Sequence, residues 1–176
     1  MRRIAILVLA SLLAACQTAA YQGDENSPYY AVPVGTRIIL HRELVIPADR
    51  VDVYLQGGRV LGYAEVNPHH PFCTFDVRRR LDTPQTIAPG EFEVTKTTRE
   101  IRYTRSAPGA VFASDGTPSF EVYSTILVLH SDRQPQVTGL TCTQWQYPPL
   151  QRHVTISEMR KALGELFTLR LGKGSG

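Results

Sequence analysis

The stretch FEVYSTILVLHSDRQPQVTGLTCTQW, residues 120–145, decides how the chain is read. In its first half Val122, Ile126 and Val128 share one parity while Tyr123, Leu127 and Leu129 share the other. Side chains alternate between the two faces of a strand, so apolar residues on both parities predict a central strand. Ser131 to Pro135 is rich in turn residues. From Val137 to Trp145 the alternation resumes, with Leu140 and Cys142 on one side and Thr141, Thr143 and Trp145 on the other. Two extended runs joined by a short polar turn predict an antiparallel pair.

The same period extends upstream. VDVYLQGGRVLGYAEV, residues 51–66, alternates Val51, Val53 and Leu55 with Asp52, Tyr54 and Gln56, reaches Gly57-Gly58, and then becomes extended again; it is the strongest local hairpin signal. Val34, Ile38, Leu40, Leu44 and Ile46 share a parity, which reads either as one half-buried strand or as two strands broken near His41-Arg42. Phe72–Val77 predicts a strand whose inward residues are Cys73, Phe75 and Val77. Residues 81–90, with Pro84, Pro89 and Gly90, read as irregular. A further strand starts at Phe92 and Val94 and resumes at Ile101 and Tyr103 after a break or bulge. Residues 105–118 read as a long turn region.

One helix interrupts this pattern. Thr155-Ile156-Ser157-Glu158 fits a capping box, and Ile156, Met159, Leu163, Leu166 and Phe167 recur at helical spacing, predicting a helix over about 156–168 that packs on the sheet. The expected fold is therefore mainly β: an antiparallel sandwich or barrel-like sheet with one C-terminal helix. The domain is expected over residues 29–171, with a frayed tail at 172–176.

The N-terminus specifies an address. Arg2 and Arg3 precede an apolar run of 12 residues, Ile4–Ala15, long enough for a secretory leader and too short for the roughly 20 residues that cross a bilayer. The run ends in Leu13-Ala14-Ala15-Cys16, which resembles the lipobox of bacterial lipoproteins. That resemblance covers the leader alone. It implies removal of a signal peptide, residues 1–15, a diacylglycerol on the Cys16 sulfur, and usually a third acyl chain on the new amino group. Two or three chains make attachment to the lipid bilayer effectively permanent. Gln17 stands where enterobacterial lipoproteins retained in the inner membrane carry aspartate, so the resemblance implies a bacterial outer-membrane location facing the periplasm. Residues 16–28 would then be the lipidated N-terminus and a short flexible tether.

Loss of the leader leaves 161 of the 176 residues and lowers the formal charge from +3 to +1, because Arg2 and Arg3 are its only charged residues. One domain with an ordinary core is expected. A near-neutral balance lacks the basic face of a nucleic-acid binder. With Cys16 acylated, Cys73 and Cys142 remain, an even number in an oxidising compartment, and are expected to form a disulfide.

Chemistry is sparsely signalled. The chain contains no G-x-S-x-G, H-E-x-x-H, G-x-x-x-x-G-K or S-x-x-K motif, and no cofactor fingerprint. His69-His70, on a loop braced by Pro68 and Pro71, supplies two imidazoles for a transition metal, short of the three or four ligands a strong site needs. Glu43, Asp52, Glu91 and Glu93 alternate with apolar residues, as on the wet side of a sheet. The expected role is a non-enzymatic binding or accessory component of the envelope that binds either another envelope protein or a periplasmic ligand, with Trp145 and Tyr147 as contact candidates because aromatic anchors are enriched at interfaces. The alternative is an envelope hydrolase or metal-handling protein using the His69-His70 loop.

Overall fold

In the computed structural model, which describes residues 23–105, 119–146 and 152–172, ten strands and one α-helix are found. The strands are β1 (Arg37–Leu40), β2 (Leu44–Ile46), β3 (Asp52–Gln56), β4 (Arg59–Leu61), β5 (Phe72–Val77), β6 (Gln85–Ile87), β7 (Gly90–Arg105), β8 (Ser119–His130), β9 (Val137–Gln146) and β10 (Phe167–Arg170). The helix, α1, spans Ile156–Leu163. Eight strands form one antiparallel sheet in the order β10-β1-β7-β8-β9-β5-β3-β4, curled into a half-barrel, and β2 pairs with β6 apart from it. The quoted stretch forms the middle of this sheet: β8 lies between β7 and β9.

Register explains the curl's two faces. Phe75, Leu140, Leu127 and Thr97 are aligned across β5, β9, β8 and β7, and the next row outward is Leu55, Cys73, Cys142, Thr125 and Arg99. Cys73 and Cys142 are direct partners in neighbouring strands, fully buried, with Cα atoms 4.0 Å apart, and they form the disulfide. Phe75 sits at the centre of the core, its ring 5.8 Å from that of Phe92 and 5.3 Å from that of Phe167. Helix α1 lies in the trough against β3, β5 and β10, burying Ile156, Met159, Ala162 and Leu163.

Several expectations are adjusted by this geometry. The helix stops at Leu163, short of 168, because Gly164 takes a positive φ of 59°. A Cβ there would lie 2.2 Å from the Gly58 Cα in the β3–β4 turn, so only glycine allows the helix end to dock against that turn. A 3₁₀ turn, Gly164–Leu166, follows, and Phe167–Arg170 forms β10 against β1. Helical spacing put Phe167 on the buried side, but its burial comes from a strand. The break at His41-Arg42 separates β1 from β2, which belong to different sheets. Residues 85–87, inside the stretch read as irregular, form β6 and bury Ile87. The β3–β4 hairpin is shorter than 51–66, since Tyr63–Glu65 is a 3₁₀ turn. Strand β7 runs unbroken through a bulge between Val94 and Lys96. Central placement of β8 is as expected, yet its outer face is open: Val128 is exposed and Val122 and Ile126 are half-buried.

Candidate functional site at the polar end of the inner sheet face

Beyond the disulfide row the inner face of the sheet changes character. Ile101, Tyr123 and Gln144 form the next row, and Tyr103, Glu121 and Gln146 the one after. Residues 152–155, leading into α1, cross this end. The Arg152 amide donates to Gln146 Oε1 at 2.9 Å, and the His153 ring stands edge-on to the Tyr123 ring at 5.2 Å. Glu158 fixes this crossing twice. Its carboxylate accepts both Arg152 Nη groups, at 2.7 and 2.6 Å, and also the Thr155 amide at 2.9 Å, completing the capping box that the sequence predicts. The Arg152 guanidinium is the main reason Glu158 is held below the usual carboxylate range.

Arg99 and His153 meet here. Arg99 Nη1 donates to the Tyr29 carbonyl at 2.9 Å and Nη2 to the Pro28 carbonyl, so the guanidinium clasps the Pro28–Tyr29 backbone. Its Nε is buried and has no hydrogen-bond partner among the described residues, and the same is true of His153 Nδ1. Burial, followed by repulsion from Arg99, lowers the His153 pKa to about 4, against an opposing contribution from the Ser124 backbone. His153 is thus neutral at pH 7. Tyr123 donates its hydroxyl to Glu121 Oε2 at 2.7 Å, and burial, then that bond, raises its pKa to about 12.

Both rings are therefore uncharged at neutral pH. General acid–base chemistry works best with groups titrating near the operating pH, and here the imidazole and the phenol titrate far to either side of neutrality. An unpartnered guanidinium N–H and an imidazole nitrogen in one polar patch suit capture of a group that can both accept and donate hydrogen bonds.

The residues singled out from sequence fall elsewhere. His69 and His70 are exposed on their loop. The loop is fastened through its backbone: Gln144 Nε2 donates to the His69 carbonyl at 2.8 Å, and Gln56 Nε2 donates to the Asn67 carbonyl at 2.8 Å and the His70 carbonyl at 3.2 Å. Trp145 is half-buried, its ring edge-on to His69 at 6.4 Å and its amide bonded to the Pro68 carbonyl at 2.8 Å. His70 borders a shallow groove of about 510 Å³ with Gln56, Pro71, Glu158 and Lys161. Among the described residues no three His, Cys, Asp or Glu side chains converge to hold a metal ion, and Cys73 is committed to its disulfide. Cys16 and Tyr147 lie outside the described residues. No helix among those residues is long and apolar enough to cross a membrane.

One pairing escaped the sequence reading altogether. Asp52, read as a solvent-facing residue, is the cross-strand partner of Asp76 on the outer face. Arg50 binds the Asp52 carboxylate through Nε and Nη2 at 3.1 and 2.7 Å, and the Tyr54 hydroxyl donates to it at 3.1 Å. Burial, and secondarily the Asp52 charge, pushes the Asp76 carboxyl up to about 7. Comparison with protein-family models, with curated proteins and with solved structures finds no match for this chain.

Proposed function

We propose that the chain is a lipid-anchored component of the bacterial envelope that acts by binding, held at the outer membrane through acylated Cys16 and facing the periplasm, with another envelope protein as its partner. The observation supporting a binding role is the pair of buried nitrogens, Arg99 Nε and His153 Nδ1, that have no hydrogen-bond partner among the described residues, at the polar end of the inner face. A buried polar group without a partner carries a desolvation cost, which a bound ligand can relieve. The anchor rests on the Leu13-Ala14-Ala15-Cys16 resemblance alone.

Crosslinking in intact envelopes tests the proposal, with the mature protein as bait and three variants beside it. A reproducible partner is expected, reduced several-fold by Arg99→Gln and by His153→Leu, and lost in Cys16→Ser. A partner captured equally by the wild type and both patch variants would remove Arg99 and His153 from the contact. Equal capture by Cys16→Ser would remove the anchor.

A further inference from the structure

The β7–β8 arm extends well past β1, whose four residues pair only with Gly90–Glu93. Along the part of β7 that outruns β1 lies the segment Pro28–Val32: Thr97 Oγ1 donates to the Val32 carbonyl at 2.8 Å, and Arg99 holds the carbonyls of Tyr29 and Pro28. Ahead of it the chain turns at Asp24–Ser27 and again at Ser27–Tyr30, and Arg160 of α1 donates to Glu25 at 2.8 Å. Its first described residues therefore sit close to both this arm and α1. From Cys16 to Glu25, which Arg160 holds, is a span of 9 residues, which reaches at most about 30 Å even when fully extended. Whatever holds Cys16 cannot be far from Arg99.

Apolar and aromatic side chains are exposed at this point. Ile101 and Tyr103 follow Arg99 along the same face of β7 and are 47% and 74% exposed, while Tyr29, whose carbonyl Arg99 holds, is 73% exposed. Tyrosine favours the membrane–water interface, where its ring sits among apolar chains and its hydroxyl stays wet. We infer that this rim of the arm, Tyr29, Ile101 and Tyr103, rests on the lipid surface to which Cys16 is attached, so that the anchor fixes the domain's orientation as well as its location. This rests on the proposed acylation of Cys16.

The single tryptophan provides a clean readout. Full-length protein is purified from bacterial membranes and placed in phosphatidylethanolamine–phosphatidylglycerol vesicles whose acyl chains are brominated close to the headgroup. In a Trp145→Phe background, Tyr103→Trp and, separately, Tyr29→Trp are each expected to lose about half of their emission, relative to unbrominated vesicles. Tyr63→Trp, 65% exposed on the 3₁₀ turn after edge strand β4, is expected to keep its emission. Mass spectrometry of the N-terminal peptide from the same preparation reads the acyl chains. Acylated protein in which all three variants are quenched alike, or none is, overturns the docking and leaves the anchor standing. An unacylated Cys16 overturns both.

Discussion

The two ends of the inner sheet face are built on the same strands and solve opposite problems. At one end Phe75, Leu127, Leu140, Phe92 and Ile38 are fully buried in the apolar core. At the other, Arg99, Tyr123, Glu121, Gln146 and His153 face inward from the same β7, β8 and β9 or from the segment crossing them. The Cys73–Cys142 row is the boundary between them. Strand pairing is indifferent to which end it serves; side-chain chemistry decides that one half is packed for stability and the other leaves polar atoms unsatisfied. Natural proteins tolerate such frustration where a site needs it, while their cores are consistent at every level.

The largest contrast is expected from one substitution at each end. Phe75→Ala removes a fully buried ring that contacts Phe92 and Phe167, and is expected to cost about 3–5 kcal/mol, a large share of the stability of a typical domain. Tyr123→Phe at the polar end removes only the hydroxyl bonded to Glu121 and is expected to cost about 1 kcal/mol. Urea melts of the two variants measure this directly. A loss at Tyr123 equal to that at Phe75 would mean that the polar end is structural core, and the division drawn here would fail.

Opening the boundary should have the next largest effect. Replacing both Cys73 and Cys142 with alanine frees a loop with a sequence separation of 69 residues, and a loss of about 2–4 kcal/mol is expected. Strands β5 and β9 should remain paired, because Phe75↔Leu140 and the neighbouring pairs hold their register. Hydrogen exchange should accordingly show β9 less protected while its pairing pattern persists. Exchange in which β5 and β9 lose protection while the rest of the sheet keeps it would show that the bridge, and not the packing, sets the register.

Most of the apolar half was legible in the sequence, because period-two alternation reports which side of a strand is buried. Cys73, Phe75 and Val77 were readable as an inward set, and so was the disulfide from cysteine count and compartment. Strands β6 and β10 were hidden for different reasons. Gln85–Ile87 is too short to show a period, and Leu166-Phe167 continues the helical spacing of α1 although Gly164 has already turned the chain. The polar end was nearly invisible. Arg99 looks like one charge in a threonine-rich strand, His153 like a residue beside the helix, and only register across three strands brings them together. The Asp52–Asp76 pair was illegible for the same reason, being separated by the whole β3–β5 connection.

The smallest effect separates the polar inner end from the outer face by the sign of its response to pH. The folded pKa of His153, about 4, lies below its ordinary value of 6.5, so the unfolded chain binds more protons between these values. Its contribution to stability is present above pH 6.5 and is lost as pH falls toward 4. Asp76 behaves oppositely. Its folded pKa of about 7 lies above the ordinary 3.8, so its contribution is fully present below pH 3.8 and is lost as pH rises through 7. Between pH 4 and 6.5 the two slopes oppose one another, and the wild type should show a flat profile from this pair. Asp76→Asn should unmask the histidine, leaving stability that rises with pH by about 1 kcal/mol per unit or less. His153→Phe, which keeps a ring against Tyr123, should unmask the aspartate and leave stability that falls with pH by a similar amount. Thermal melts of the three proteins across this window give the slopes, and two variants with slopes of the same sign would show that the inner-end imidazole and the outer-face carboxyl are not the opposed pair their surroundings make them.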